Sequence, residues 1–107
     1  MGGIKVRTEE FNKILKNRLK KISDVLGKKA GEYAFNDNRL YNFQAAGRVN
    51  GVSTQQALWG MATKHLVSVI DLVEGRLDAS EKNIDEKIGD LINYLILMEA
   101  ILLGKAQ

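Results

Sequence analysis

The 107-residue chain contains no cysteine and no proline. Without cysteine there is no disulfide framework, no thiolate nucleophile and no zinc–thiolate site. Without proline, which usually makes up about 5% of a chain, only glycine and capping residues can stop a helix, so long helices are expected. Histidine occurs once, as His65, too few for a multi-histidine metal site or a histidine relay. Long apolar runs are also missing. The longest apolar stretch, Leu91 to Leu103, is interrupted by Asn93 and Glu99 and falls short of the roughly 20 residues that a membrane span needs. The first residues, Met1-Gly2-Gly3-Ile4-Lys5, carry no apolar run resembling an export signal. Val6 stands where an acylation motif wants Ser or Thr. A cytoplasmic location with no membrane partner is therefore expected.

What is present, 45% hydrophobic and 27% charged residues, is the composition of one globular helical domain spanning residues 1–107. A chain this short buries only about two-thirds of its unfolded surface, which makes a homo-oligomer the expected state. The net charge of +3 is mild but unevenly spread. Residues 1–64 hold 12 basic and 5 acidic side chains, and residues 71–107 hold 4 and 8. The halves therefore carry +7 and −4, a division that suits head-to-tail contacts between copies.

The pattern predicts an all-α bundle of three long helices and one short helix within an irregular segment. Phe11, Ile14, Leu15, Leu19, Ile22, Val25 and Leu26 form one stripe of a helix from about Thr8 to Leu26. Thr8 is its expected cap, Glu9 and Glu10 suit its positive end, and Gly27 is its expected stop. Its outer face carries Lys13, Lys16, Arg18, Lys20 and Lys21. A second long helix starts at Ser53, whose capping-box partner is Gln56, and runs to about Glu74, with Leu58, Met61, Ala62, Val69, Leu72 and Val73 on its apolar face. The third spans Glu81 to Leu103. Beyond Leu95 it is apolar nearly all round, which points to a subunit contact, and Glu99 within that zone is expected to need a partner.

Residues Gly31 to Gly51 break the pattern. Four of the seven aromatics, Tyr33, Phe35, Tyr41 and Phe43, fall here among Asn36, Asp37, Asn38, Arg39 and Asn42. A short helix is expected from about Asn38 to Ala46, capped by Asp37 and ended by Gly47. Aromatic rings beside Arg and Asn can stack a base and bond its edge.

Folding the second and third long helices into a hairpin centred near residue 78 pairs positions whose numbers add to about 157. Asp71 then faces Glu86, Ser68 faces Asp90, and Lys64 faces Asn93, so two polar lines meet. His65 falls on the apolar side with Leu58, Met61, Ala62 and Val69. Trp59 flanks the polar line as a stacking platform or interface anchor. Gly60 and Gly89 interrupt their helices, as a close approach by backbone or ligand requires.

Glu32-Tyr33-Ala34, Asn36 through Phe43, Ala57-Leu58-Trp59-Gly60-Met61, Lys64-His65 and Asp85 through Leu95 together resemble a group of small phage-encoded helical proteins, the nucleotide-modification-associated helical domains. The resemblance covers roughly residues 28–103. More distantly, Glu86 to Leu95 is similar to the second acidic helix of the MazG-like all-α nucleotide pyrophosphatases. Those enzymes hold magnesium with Glu-x-x-Glu on one helix and Glu-x-x-Asp on the next. Here Asp90 matches the final acid, but Lys87 replaces the preceding Glu, and no Glu-x-x-Glu pair precedes it. The resemblance therefore implies nucleotide recognition rather than hydrolysis.

The resulting expectation is a phage-type protein that binds a nucleotide or nucleotide-derived signal without cofactor or turnover, sequestering a host defence messenger. Tyr33, Phe43 or Trp59 would stack the base, Arg39 and Lys64 would meet phosphate, and Asn36, Asn38 and Asn93 would read polar edges. His65 would add a hydrogen bond, and Asp90 would line the same site. The alternative is a magnesium-dependent nucleotide hydrolase using Asp71, Glu86 and Asp90. A third class is a module binding protein or nucleic acid through the basic first helix; with no groove-reading motif beside that helix, nucleic acid is the less expected partner.

Overall fold

The computed structural model describes residues 3–29 and 37–104. Every regular element among them is helical: α1 Thr8–Ile22, α2 Tyr41–Asn50, α3 Thr54–Val73 and α4 Glu81–Leu103. The all-α class is as expected. The first helix is not. It keeps α geometry only to Ile22 and continues as a π-helical stretch, Ser23–Lys29, so Gly27 lies inside a helix rather than ending one. Ser23 marks the changeover, its N–H reaching the carbonyls of both Leu19 and Lys20. At the other end, Arg7 holds the cap position with extended backbone and no side-chain bond, and Thr8 is already helical.

The α3–α4 hairpin is the scaffold. Ser53 accepts from the Gln56 N–H at 3.1 Å while Gln56 Oε1 accepts from the Ser53 N–H at 2.9 Å, the reciprocal capping box read from the sequence. Ser80 caps α4 by accepting from the Asn83 N–H at 3.1 Å. Arg76 closes the intervening turn, its Nε donating to Asp71 Oδ1 at 2.9 Å. Among the described residues the fully buried apolar side chains are Ala57, Leu58 and Ala62, all on α3.

The short helix α2 begins and ends later than expected. Asp37 does not cap it. That residue has φ +58°, and the local bonding falls to Asn38, whose Oδ1 accepts from the Leu40 N–H at 3.1 Å and whose Nδ2 donates to Gln44 Oε1 at 2.7 Å. Gly47 lies inside the helix and is buried. The stop is Gly51, with φ +68°, a left-handed conformation that glycine adopts without a Cβ clash. Gly47 is needed for a different reason. A Cβ there would sit 2.9 Å from the Val52 carbonyl oxygen and 3.2 Å from that of Ser53. Its bare backbone lets α2 fold tightly onto the start of α3.

Helix α1 lies against α4 through charge, not through its apolar stripe. Phe11, Ile14 and Leu19 are each more than half exposed, and no α1 residue is buried. The expected core stripe is uncovered because α3 and α4 bury their faces on each other and α2, leaving α1 a flank with a single ionic anchor. The apolar end of α4 is likewise open at Leu95, Ile96, Leu102 and Leu103. Glu99 is exposed there, so water satisfies it and the expected partner is not needed. The molecule measures 55 × 28 × 21 Å with a radius of gyration of 16.4 Å, against about 13 Å for a compact chain of this length.

A polar cleft between the first and last helices

The hairpin register is as the sequence predicts, but a different face of α3 meets α4. His65 Nδ1 lies 3.6 Å from Asp90 Oδ2, and the His65 ring stacks on Tyr94 with centroids 4.7 Å apart and planes at 25°. These pairs bracket the expected centre near residue 78. Leu58, Ala62 and His65 recur at helical spacing on one stripe, and burying Leu58 and Ala62 carries His65 inward with them. Lys64 is turned about 100° away and lines a separate cleft with Asn50, Gln56 and Gly60, so it does not face Asn93. Ser68 donates to the Lys64 carbonyl at 3.2 Å rather than meeting Asp90. Asp71 is held by Arg76 rather than by a site near Glu86.

Phe43 on α2 meets Tyr94 edge-on, with centroids 6.3 Å apart at 71°, an arrangement worth about 0.5–1.5 kcal/mol beyond area burial. Tyr94 thus links α2, α3 and α4. The sequence reading omitted it, although it stands one turn after Asp90, opposite the predicted position of His65. The 3.6 Å from His65 to Asp90 exceeds a hydrogen bond and becomes an ion pair only when the ring is protonated.

Asp90 also reaches the other side of α4. With Arg18, Lys21, Val25, Asp85, Glu86, Gly89 and Asn93 it lines a cleft of about 260 Å³ where α1 crosses α4. Arg18 is the hinge of that crossing. Its guanidinium lies against Gly89, so the close approach expected at Gly89 is made by a side chain of this chain. At Gly60 nothing lies within 4 Å. Arg18 Nη2 donates to Asp85 Oδ1 at 2.9 Å and Lys21 Nζ to the same oxygen at 2.8 Å. The Lys21 hydrogen bond, with the charges of Lys21 and Arg18 and the Arg18 hydrogen bond outweighing an opposing desolvation, holds the Asp85 carboxyl below its ordinary 3.8.

With Arg18 and Lys21 tied to Asp85, the α4 wall of the cleft presents the carboxylates of Glu86 and Asp90 and the carboxamide of Asn93. Glu86 and Asp90 stand one turn apart on its wall. Asn93 contributes a carboxamide oxygen that is buried and has no hydrogen-bond partner among the described residues. An unmet buried acceptor costs about 1–3 kcal/mol, and Asn93 is one of the residues that line this cleft. Arg39 does not line the cleft; its guanidinium donates to the Leu26 carbonyl. The acceptors on the α4 wall suit a ligand rich in N–H donors. Among the described residues no group of three or more His, Asp and Glu converges to hold a metal ion, and Asp71 lies with Arg76 rather than in this cleft.

Of the residues singled out in the sequence, Asp90 and Asn93 line this cleft, whereas Arg39 is tied to the Leu26 carbonyl. His65 adjoins it through Asp90, and Phe43 stands behind His65 on Tyr94. Asn38 is occupied with Gln44 and its own turn. Trp59 is about half exposed, and six residues from His65 it sits about 120° around α3. Tyr33 and Asn36 lie outside the described residues. Arg18, Lys21 and Glu86 complete the cleft; of these, the sequence pattern placed Arg18 and Lys21 on an outer basic face. Compared with known proteins, the chain matches no family model, no curated protein and no solved structure. Among the described residues no helix is long and apolar enough to cross a membrane.

Proposed function

We propose that the chain is a nucleotide-binding subunit of a homo-oligomer. It takes a nucleotide or nucleotide-derived signal into the α1–α4 cleft and holds it without turnover, as sequestration of a signal requires. The observation that carries this reading is the buried carboxamide oxygen of Asn93, which has no hydrogen-bond partner among the described residues. A small rotation of the Asn93 side chain would bring this acceptor beside Asp90 to meet the exocyclic amine and ring N–H of a base. Arg18 and Lys21 are the cations that line the cleft; Arg39, tied to the Leu26 carbonyl, and Lys64, in another cleft, are not part of this site. The His65–Tyr94–Phe43 stack supports the cleft from behind by fixing Asp90's helix. Calorimetric titration with mono-, di- and cyclic nucleotides tests the proposal, with amino-bearing bases expected to bind more tightly than uracil. Absence of binding at high micromolar concentration, or unchanged binding by Asn93→Leu, would sink it.

Glu86 and Asp90 on the wall of the same cleft keep the metal-dependent hydrolase as a second reading. A cation there would compete with Arg18 and Lys21 for carboxylates and would find Asp71 elsewhere. Product formation from nucleotides with magnesium or manganese, lost in Asp90→Asn, would establish it in place of the first.

A further inference from the structure

The molecule exposes 8486 Å², whereas a compact monomer of 11.9 kDa exposes about 5,900 Å². The excess is about 2,500 Å² per chain. Stable obligate homodimers bury roughly 2,000–5,000 Å² over both partners, so an interface of that kind would remove part of the surplus. Exposed apolar side chains of α1 and α4 adjoin one another. Phe11, Ile14, Leu15 and Leu19 form the uncovered stripe of α1, and Ile84, Ile88 and Leu95 form an exposed edge of α4. Ile14 and Ile84 line the same open groove, of about 210 Å³, between the two helices.

We infer that this groove is closed by the same face of a second copy of the chain, α1 of each copy packing into the α1–α4 groove of the other. The reading rests on the oligomeric part of the proposed function and not on its ligand. A helix fits a groove between two helices, whereas a flat lipid surface would touch its rims and leave its floor uncovered. Charge agrees: α1 carries five basic and two acidic side chains, and α4 five acidic and two basic. A two-fold arrangement sets the basic helix of one copy beside the acidic helix of the other. A 15-residue helix without buried side chains is marginal alone, and this contact supplies the missing burial.

Light scattering on the full-length chain after size exclusion is the test, at micromolar concentration and with no nucleotide added. The expected mass is twice 11.9 kDa, and a mass of one chain overturns the inference. Leu15→Glu combined with Leu19→Glu should give single-chain mass with the helical circular dichroism of α2–α4 kept, since both positions are half exposed within one copy. Val49→Glu, on an 85% exposed position of α2, should leave the dimer intact. A double variant that stays dimeric, or a Val49 variant that dissociates, refutes the assigned face. Monomers that sediment with anionic vesicles would show a lipid occupant instead. Nucleotide titration of the same samples reads the ligand separately, so failure of one reading is distinguishable from failure of the other.

Discussion

Gly47 offers the sharpest test of how α2 sits on α3. An alanine there places its Cβ 2.9 Å from the Val52 carbonyl oxygen, 3.2 Å from that of Ser53 and 3.3 Å from the Ser53 carbonyl carbon. Ordinary contact begins near 3.4 Å. All three atoms are backbone, and Ser53 is pinned by its capping box, so no side chain can swing aside. The turn must shift by several tenths of an ångström, at a cost of about 1–3 kcal/mol for overpacking. Removing a helix-interior glycine returns about 1 kcal/mol. The net is a loss of up to about 2 kcal/mol, or a fall in Tm of up to about 9 °C for a chain of this size. Gly60→Ala is the control, since a Cβ added at that position of α3 meets nothing within 4 Å; it should gain up to about 1 kcal/mol. Thermal and urea unfolding followed by circular dichroism measure both. Equal stability of the two variants would refute the close approach assigned to Gly47.

Asn93→Leu should raise the stability of the ligand-free protein by about 1 kcal/mol, because it removes a buried acceptor with no partner, while it weakens nucleotide binding; a loss of stability by denaturant titration would contradict the unmet bond. Ser53→Ala and Ser80→Ala should each cost about 1 kcal/mol through loss of a helix cap, measured by the same unfolding curves. Asp85 gives a pH dependence of known sign: its carboxyl is held below its ordinary 3.8, so its contribution is complete above that value and disappears as pH falls through the lower folded value. Because the pair is partly exposed, the amount is no more than about 1 kcal/mol. Protection factors of the α1 amides, taken against intrinsic rates at each pH, should fall in acid, and likewise at neutral pH in Asp85→Asn.

The elements that could be read from the sequence are those whose signals are local and act together. Ser53 with Gln56 set the start of α3, and hydrophobic spacing set the extents of α3 and α4. The glycines misled because one letter serves two purposes. Gly47 and Gly51 both look like stops, but a positive φ selects Gly51 and a close approach selects Gly47, and neither requirement is visible without the neighbouring helix. Gly27 failed as a stop because the backbone widened into π geometry there. At the site, hairpin arithmetic placed α3 against α4 correctly but not the rotation of α3. A turn of about 100° decides whether Lys64 or His65 faces Asp90, and the burial of Leu58 and Ala62 decides that turn. Tyr94 was missed because a tyrosine at helical spacing reads as core until its ring partners are known. The basic residues of the first helix were read as a solvated face, whereas Arg18 and Lys21 find Asp85 across a distance in sequence that spacing cannot bridge.

The uneven placement of buried side chains has a consequence for how a single subunit comes apart. Among the described residues the three buried apolar side chains stand on the first turns of α3, whereas α1 is tied to α4 through Arg18 and Lys21 on one carboxylate. The subunit therefore contains two cooperative units of different free energy. Amides of α1 exchange through a shallow detachment that salt or acid promotes, and those around Ala57–Ala62 exchange only through opening of the hairpin. A denaturation midpoint measured on α3 would describe the hairpin and leave α1 out of account.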